Sequence, residues 1–410
     1  MRLRVVIVGG GFTGACAAWM LRERLDADVV VLESDDATGG MLRTLHTPDG
    51  VPYEYGPRIV SVFRGTPDAL DFVRRFVTLE ERVVYQGTRL VPDYPVVPFP
   101  IDLDSVSRLP CGPQVRRELE AIRAAGRPPA EGNLRDYLVT SVGPTLTELA
   151  FAGFNEKFWG RRLEDMPAEW GKLRRLERIA EHGDFRLPSV APHHYPVGGF
   201  NPLFAALLEG VDVHTGVAAQ RIERGDDGPV VHTGDGSFHG DLVFATGPID
   251  EMLDYSFGPL EWRGYRIETE VVDGSDPERL GRAPDGVPFS WVYTPWPATP
   301  VSRTTDFGVI HHGPDGAGRQ PSVVLREIVD DSVRMYPVWW EDERFLRYLD
   351  LATRQEGVIP LGRLGLYKYV TIDSTFEMVR RMVDRLESYQ GADAATRFDL
   401  LREVRGDWDN

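Results

Sequence analysis

The sequence predicts an α/β protein in which a Rossmann-like domain is interrupted by a helical insertion and a mainly antiparallel β-sheet domain. Three observations carry this. The apolar, β-branched run Val5-Val6-Ile7-Val8 enters Gly9-Gly10-Gly11-Phe12-Thr13-Gly14, and a second apolar run, Val29-Val30-Val31-Leu32, closes on Glu33. Residues from about 66 to 175 are richer in helix formers, and short β-runs with Pro/Gly breaks fill Ile267 to Trp340. At 410 residues the chain is longer than one simple core usually reaches, so two or three subdomains are expected.

The first strand, turn and helix have the pattern of a dinucleotide-binding βαβ unit. Gly9 allows the tight turn, Gly11 lets backbone approach a pyrophosphate, and Gly14 lets helix and strand pack closely. The helix N-terminus then points free N–H groups at the phosphates. Glu33 stands where an acid accepts hydrogen bonds from an adenosine ribose. A second glycine turn, Gly39-Gly40-Met41, follows that acid. Nicotinamide-only enzymes do not require it, whereas in flavoproteins it brings backbone near the cofactor, so FAD is expected rather than NAD.

Further along, Asp68 to Leu79 and Gln114 to Ala125 show apolar residues at helical spacing, separated by an extended Pro92 to Pro100. His194 to Asn201 is a Gly/Pro loop before the helical pattern Pro202 to Glu209. Alternating runs follow at Val211 to Val213 and Val230 to His232, then the strand Leu242-Val243-Phe244-Ala245 ending in Thr246-Gly247. Ser374 to Tyr389 reads as an amphipathic helix. The expected FAD-binding domain is therefore discontinuous, at 1–65, 196–250 and 357–390. A helical insertion occupies 66–175, the β-sheet domain 176–195 and 251–356, and a tail 391–410.

Composition excludes several functions. A net charge of −17 offers no broad basic face, so nucleic acid is not an expected partner. Cys16 and Cys111 are the only cysteines, too few for a disulfide framework or thiolate metal cluster. No apolar run approaches the ~18 residues of a membrane span, and the chain begins directly with a strand, so a cytoplasmic location is expected. The sequence leaves a homodimer open.

Gly153-Phe154-Asn155-Glu156-Lys157-Phe158-Trp159-Gly160-Arg161 resembles the Tyr-Thr-Glu-Lys-Gln-Trp-Gly segment of UDP-galactopyranose mutases. The likeness continues through Tyr195-Pro196-Val197-Gly198-Gly199-Phe200, Ala245-Thr246-Gly247-Pro248-Ile249-Asp250, Leu260-Glu261-Trp262-Arg263, Tyr336-Pro337-Val338, Gly362-Arg363-Leu364 and Tyr367-Lys368-Tyr369. These blocks occur in family order over nearly the whole chain. The resemblance implies interconversion of pyranose and furanose forms of a nucleotide-diphosphate sugar. It implies FAD that works reduced, with an external reductant such as NAD(P)H, and a flavin N5–sugar adduct. It places Gly9, Gly11, Phe12, Thr13, Gly14 and Glu33 at the cofactor, with Gly39, Gly40, Met41, Arg58, Gly362, Arg363 and Thr371. It assigns Arg303, Arg178, Arg363 and Tyr336 to catalysis. Phe151, Phe154, Asn155, Trp159 and Tyr369 join Arg178, Arg303 and Tyr336 at the substrate, and no metal is implied.

Departures from the family pattern are informative. The usual flavin-side histidine is Arg58, preceded by Pro57. A diphosphate tyrosine becomes Ile328, and an acid is lost at Thr371. Near the base, tyrosine becomes Phe154 and glutamine becomes Phe158. These changes predict a mutase for a nucleotide sugar other than UDP-galactose. The alternatives are an FAD oxidoreductase of the amine- or polyene-oxidase type and a non-catalytic nucleotide-binding protein.

Overall fold

The apolar run Arg4–Val8 is the central strand of a five-stranded parallel sheet, in the order Asp212–Thr215, Asp28–Glu33, Arg4–Val8, Leu242–Ala245, Val358–Pro360. All four residues of Leu242–Ala245 are buried, as expected for a parallel strand covered on both faces. The computed structural model describes residues 2–62, 67–177, 179–180, 192–273, 279–316, 320–340 and 342–406. The helix Phe12–Leu25 packs on this sheet through Ala15, Cys16, Ala17, Ala18, Met20 and Leu21, all fully buried, and the amphipathic helix Ile372–Asp384 packs against that helix. A three-stranded antiparallel meander, Ala219–Gly225, Gly228–Thr233 and Gly236–His239, lies alongside.

The second sheet has six strands, in the order Tyr265–Val272, Ser322–Val329, Val301–Asp306, Trp291–Tyr293, Gln86–Thr88, Val97–Phe99. Every pairing is antiparallel except that of Trp291–Tyr293 with Gln86–Thr88. Two of its strands thus come from the segment 66–175, read above as a helical insertion. Within that segment the helices are Asp68–Arg74 and those between Leu103 and Arg174. Gln86-Gly87-Thr88 has no apolar alternation that would mark it as a strand. Its placement comes from pairing on both sides, with Gly87 so close to Val96 that a Cβ would lie 2.4 Å from it. Among the described residues, no helix is long and apolar enough to cross a membrane.

A buried histidine gives the fold a pH response. His193 is 7 % exposed and its Nδ1 lies 2.6 Å from the Ser61 hydroxyl. Burial, helped by His194, pushes its pKa down to about 4. The folded state keeps this imidazole neutral, whereas the unfolded chain protonates it near 6.5. Its contribution is therefore intact above about pH 6.5 and is lost as pH falls towards 4, by about 3 kcal/mol over that interval. His193→Gln keeps a partner for Ser61 but cannot titrate. Urea midpoints measured from pH 7 to 4 are expected to fall less steeply in this variant, and parallel curves would refute the assignment.

Candidate active site

The glycine turn after the first strand is built as the spacing predicts. Gly9 adopts φ +104° and donates to the Leu32 carbonyl at 2.7 Å. A Cβ on Gly14 would stand 1.9 Å from the Gly9 carbonyl oxygen, so helix and turn touch through backbone alone. Gly11 is the N-cap of Phe12–Leu25 and supplies no side-chain acceptor. The N–H groups of that helix end therefore open on the cavity lined by Gly9, Gly11, Phe12 and Thr13. Gly11 bridges to Gly39, whose N–H reaches Gly10 O at 2.9 Å, so the two glycine turns meet. Glu33 Oε2 accepts from Gly10 N at 2.7 Å and Oε1 from Asp35 N at 2.9 Å, holding the carboxylate at the cavity wall. Gly362, expected at the cofactor, is buried against Thr13 and does not itself line the cavity. Thr371 caps the helix Ile372–Asp384 in a capping box with Ser374, its hydroxyl also bonded to Asp373, and brings a second helix N-terminus to the cavity.

From this cradle a cavity of about 990 Å³ runs across one face of the six-stranded sheet. Strand pairing lays Thr88, Tyr293, Arg303, Glu327 and Ile267 in a single cross-strand row. A register shift between Val301 and Arg303 bulges the strand there, which re-aims Arg303 along the row at Glu327. Arg303 donates from Nε at 2.5 Å and from Nη2 at 2.7 Å to the two Glu327 carboxylate oxygens. Burial disfavours its charge, but Glu327 outweighs that and its pKa is raised well above the ordinary value. Two of the guanidinium's five donors are thus engaged by Glu327, leaving three for a ligand.

Further cations line the same cavity as Arg303. Arg58 donates from Nε to Met41 O at 3.0 Å and from Nη2 to Tyr55 O at 2.9 Å and Tyr265 Oη at 3.1 Å. Arg363 donates to Val370 O at 2.6 Å and lies 5.1 and 5.2 Å from the rings of Tyr336 and Tyr369, which stack on each other at 5.7 Å. Burial pushes the Tyr369 hydroxyl up, and Arg174, Arg363, Arg303 and Arg58 together pull it below its ordinary value. A protein of net charge −17 therefore concentrates positive potential at this one place.

Part of the cavity lining is aromatic. Phe151, Phe154, Phe158, Phe99 and Tyr293 line it, with Phe154 stacked on Phe158 at 5.8 Å and edge-on to Tyr293 at 5.0 Å. Asn155 lines it too, but its amide is committed to the wall, donating to Phe151 O and accepting from Trp170 Nε1, both at 2.8 Å. Trp159 is not part of the lining. It is 1 % exposed and wedged among Phe158, Trp170 and Trp340, so it supports the aromatic wall from behind. Arg178 lies outside the described residues. Ile328, where the family pattern has a tyrosine, is buried and does not line the cavity.

The structure therefore brings Gly9, Gly11, Phe12, Thr13, Glu33, Gly39, Gly40, Met41, Arg58, Arg363 and Thr371 to the lining of one cavity. Arg303, Tyr336, Tyr369, Phe151, Phe154 and Asn155 line the same cavity. Sequence reading missed Glu327, Tyr265, Tyr293, Thr88 and Arg174. Thr88 Oγ1 is buried at the wall with no hydrogen-bond partner among the described residues. Only the strand order across the sheet places Thr88 beside Tyr293, so nothing local in the chain marks it.

Comparison with known proteins places the chain in a family. The probable UDP-galactopyranose mutase of Klebsiella pneumoniae is 22 % identical over 407 residues, 94 % of each chain. The dTDP-fucopyranose mutase of Escherichia coli is 24 % identical over 395 residues, covering 90 % of this chain and 94 % of that one. A crystal structure of reduced UDP-galactopyranose mutase superposes with a TM-score of 0.76 at 17 % identity, over 99 % of this chain and all of that one. Residues 7–76 match the NAD(P)-binding Rossmann-like domain. Residues 149–369, over half of the chain and including Phe151, Phe154, Phe158, Arg303 and Arg363, match the UDP-galactopyranose mutase family model, and the chain belongs to that family.

Proposed function

We propose that this protein is a flavin-dependent mutase that interconverts the pyranose and furanose forms of a nucleotide-diphosphate sugar other than UDP-galactose. The observation that carries the reading is that one cavity is lined by a dinucleotide cradle, a cluster of half-buried arginines and a group of aromatic rings. That combination matches a ligand whose sugar meets a flavin, whose diphosphate meets cations and whose base meets rings. The cradle fits FAD: an uncapped helix N-terminus faces it, a buried acid stands at the ribose position, and Gly11 leaves open the space a side chain would fill.

When bound, reduced flavin supplies the nucleophile towards the anomeric carbon. The chain's own residues do the rest. Arg303 stabilises the diphosphate as it departs and returns, with Glu327 holding the guanidinium plane in place. Arg363 and Arg58 set a positive field where charge develops, and the packed Tyr336–Tyr369 pair excludes water beside them. An amine-oxidising role is disfavoured by the same cluster, because a cationic substrate would be repelled by four guanidiniums.

The base-side positions Phe154 and Phe158 offer rings where hydrogen-bonding groups would read a polar ligand. A group left unpaired on such a surface costs roughly 1–3 kcal/mol. UDP-galactopyranose is therefore expected to be at least about tenfold poorer than the true substrate, since 1.4 kcal/mol is that factor. We favour a 6-deoxyhexose on a thymidine or guanosine carrier. The E. coli relative, a dTDP-fucopyranose mutase, supports that choice. The test is to incubate dithionite-reduced protein with thymidine-, guanosine- and uridine-diphosphate hexoses and separate ring isomers chromatographically. Isomerisation without net oxidation supports the mutase. Preference for UDP-galactopyranose over every other sugar would overturn the specificity, and peroxide production from an amine without isomerisation would overturn the reaction class.

A further inference from the structure

The hairpin loop 294–300 joins the two strands that carry Tyr293 and Arg303, and its centre is occupied by a charge from another element. Lys157, on the helix Gly153–Trp159, directs its ammonium at three carbonyl oxygens of this loop and at that of Val301, the first residue of the next strand. They are Thr294 O at 2.9 Å, Trp296 O at 3.1 Å, Thr299 O at 3.0 Å and Val301 O at 2.7 Å. Four acceptors converging on one point repel one another, and three ammonium protons shared among them make the arrangement stable. Burial draws Lys157 down to about 8, and the surrounding carbonyls, which can only accept, favour keeping its proton.

A second contact joins the same elements. A Cβ on Gly153 would lie 1.9 Å from Pro295 O, so the helix backbone abuts the loop directly. The helix that holds Phe154 and Phe158 against the aromatic chamber is thereby locked to the hairpin that presents Arg303. Val301, the last carbonyl in the cage, stands at the bulge that turns Arg303 along the sheet row.

We propose that Lys157 is a positioning residue that acts as an internal cation for the 294–300 hairpin and thereby sets Arg303 for the diphosphate. Without it the four carbonyls lose their common partner, the loop reopens to water, and the bulge no longer aims the guanidinium. The inference rests on the nucleotide-sugar reading above, and it predicts that Lys157 acts through Arg303 rather than through stability in general.

The test is a double-mutant cycle read by binding of uridine and thymidine diphosphates to oxidised holoprotein, followed by flavin fluorescence. Lys157→Met is expected to weaken binding about tenfold and Arg303→Ala about a hundredfold. Lys157→Met added to Arg303→Ala should change binding by less than about threefold, because the group it positions is gone. Additive losses, or unchanged binding in Lys157→Met, would overturn the proposal alone. Failure of the wild type to bind either diphosphate would overturn the functional reading, and the proposal with it. Lys157→Gln, which keeps two N–H donors, replaces Lys157→Met if the latter does not fold. If neither yields flavin-loaded protein, Lys157 serves stability and the proposal falls.

Discussion

Arg303→Ala is expected to lower turnover by about a thousandfold while flavin content stays at the wild-type level. Removing one preorganised charge contact from a transition state costs up to about 4 kcal/mol, which corresponds to that factor. Here the loss is compounded. Glu327 is 2 % exposed and loses the partner of both its oxygens, leaving an uncompensated carboxylate where the proposed function puts the diphosphate. The double variant Arg303→Ala/Glu327→Gln removes that repulsion and should recover thermal stability but little turnover. Single-turnover isomerisation by the reduced protein measures both effects. Turnover within about threefold of wild type in Arg303→Ala would remove this residue from the chemistry.

Gly14→Ala should abolish stoichiometric flavin binding and destabilise the fold by about 3 kcal/mol or more. The added methyl would stand 1.9 Å from the Gly9 carbonyl oxygen and 3.1 Å from Ile7 Cγ2. No flexible side chain can yield there, so the helix must be displaced from the first strand, carrying with it the N–H groups that face the phosphates. Gly132→Ala is the control, since a Cβ there meets nothing within 4 Å and its φ is not in the left-handed region. Flavin-to-protein absorbance ratio and melting midpoint report the result. A fully flavinated Gly14→Ala variant of wild-type stability would show that the close approach has no role.

The elements nearest to local physics were legible in the chain. A β-branched run, three glycines at fixed spacing, a helix and a terminal acid specify a parallel βαβ unit by dihedral freedom and close packing, and Gly9, Gly14 and Glu33 stand where that logic puts them. The strand Leu242–Ala245 and the helices Gly112–Ala125 and Ile372–Asp384 follow from burial and periodicity in the same way. The family resemblance added Arg303, Arg363, Tyr336 and Phe154, which are separated by long stretches of chain and share the cavity only after folding.

Tertiary structure alone decided the rest. Gln86–Thr88 is a strand because two neighbours pair with it, and its own three residues carry no alternation to announce it. Glu327 becomes the partner of Arg303 through a β-bulge, a register choice made by the sheet as a whole. Trp159 lies behind the aromatic wall rather than on it because Phe158 and Trp170 close over it. Lys157 looks like any solvated helix cation until the hairpin from residues far along the chain folds around it. Local sequence determines dihedral preferences and periodicity, and therefore the cradle. Side-chain partners in a cavity depend on strand order and register, which are set by burial summed over the whole molecule.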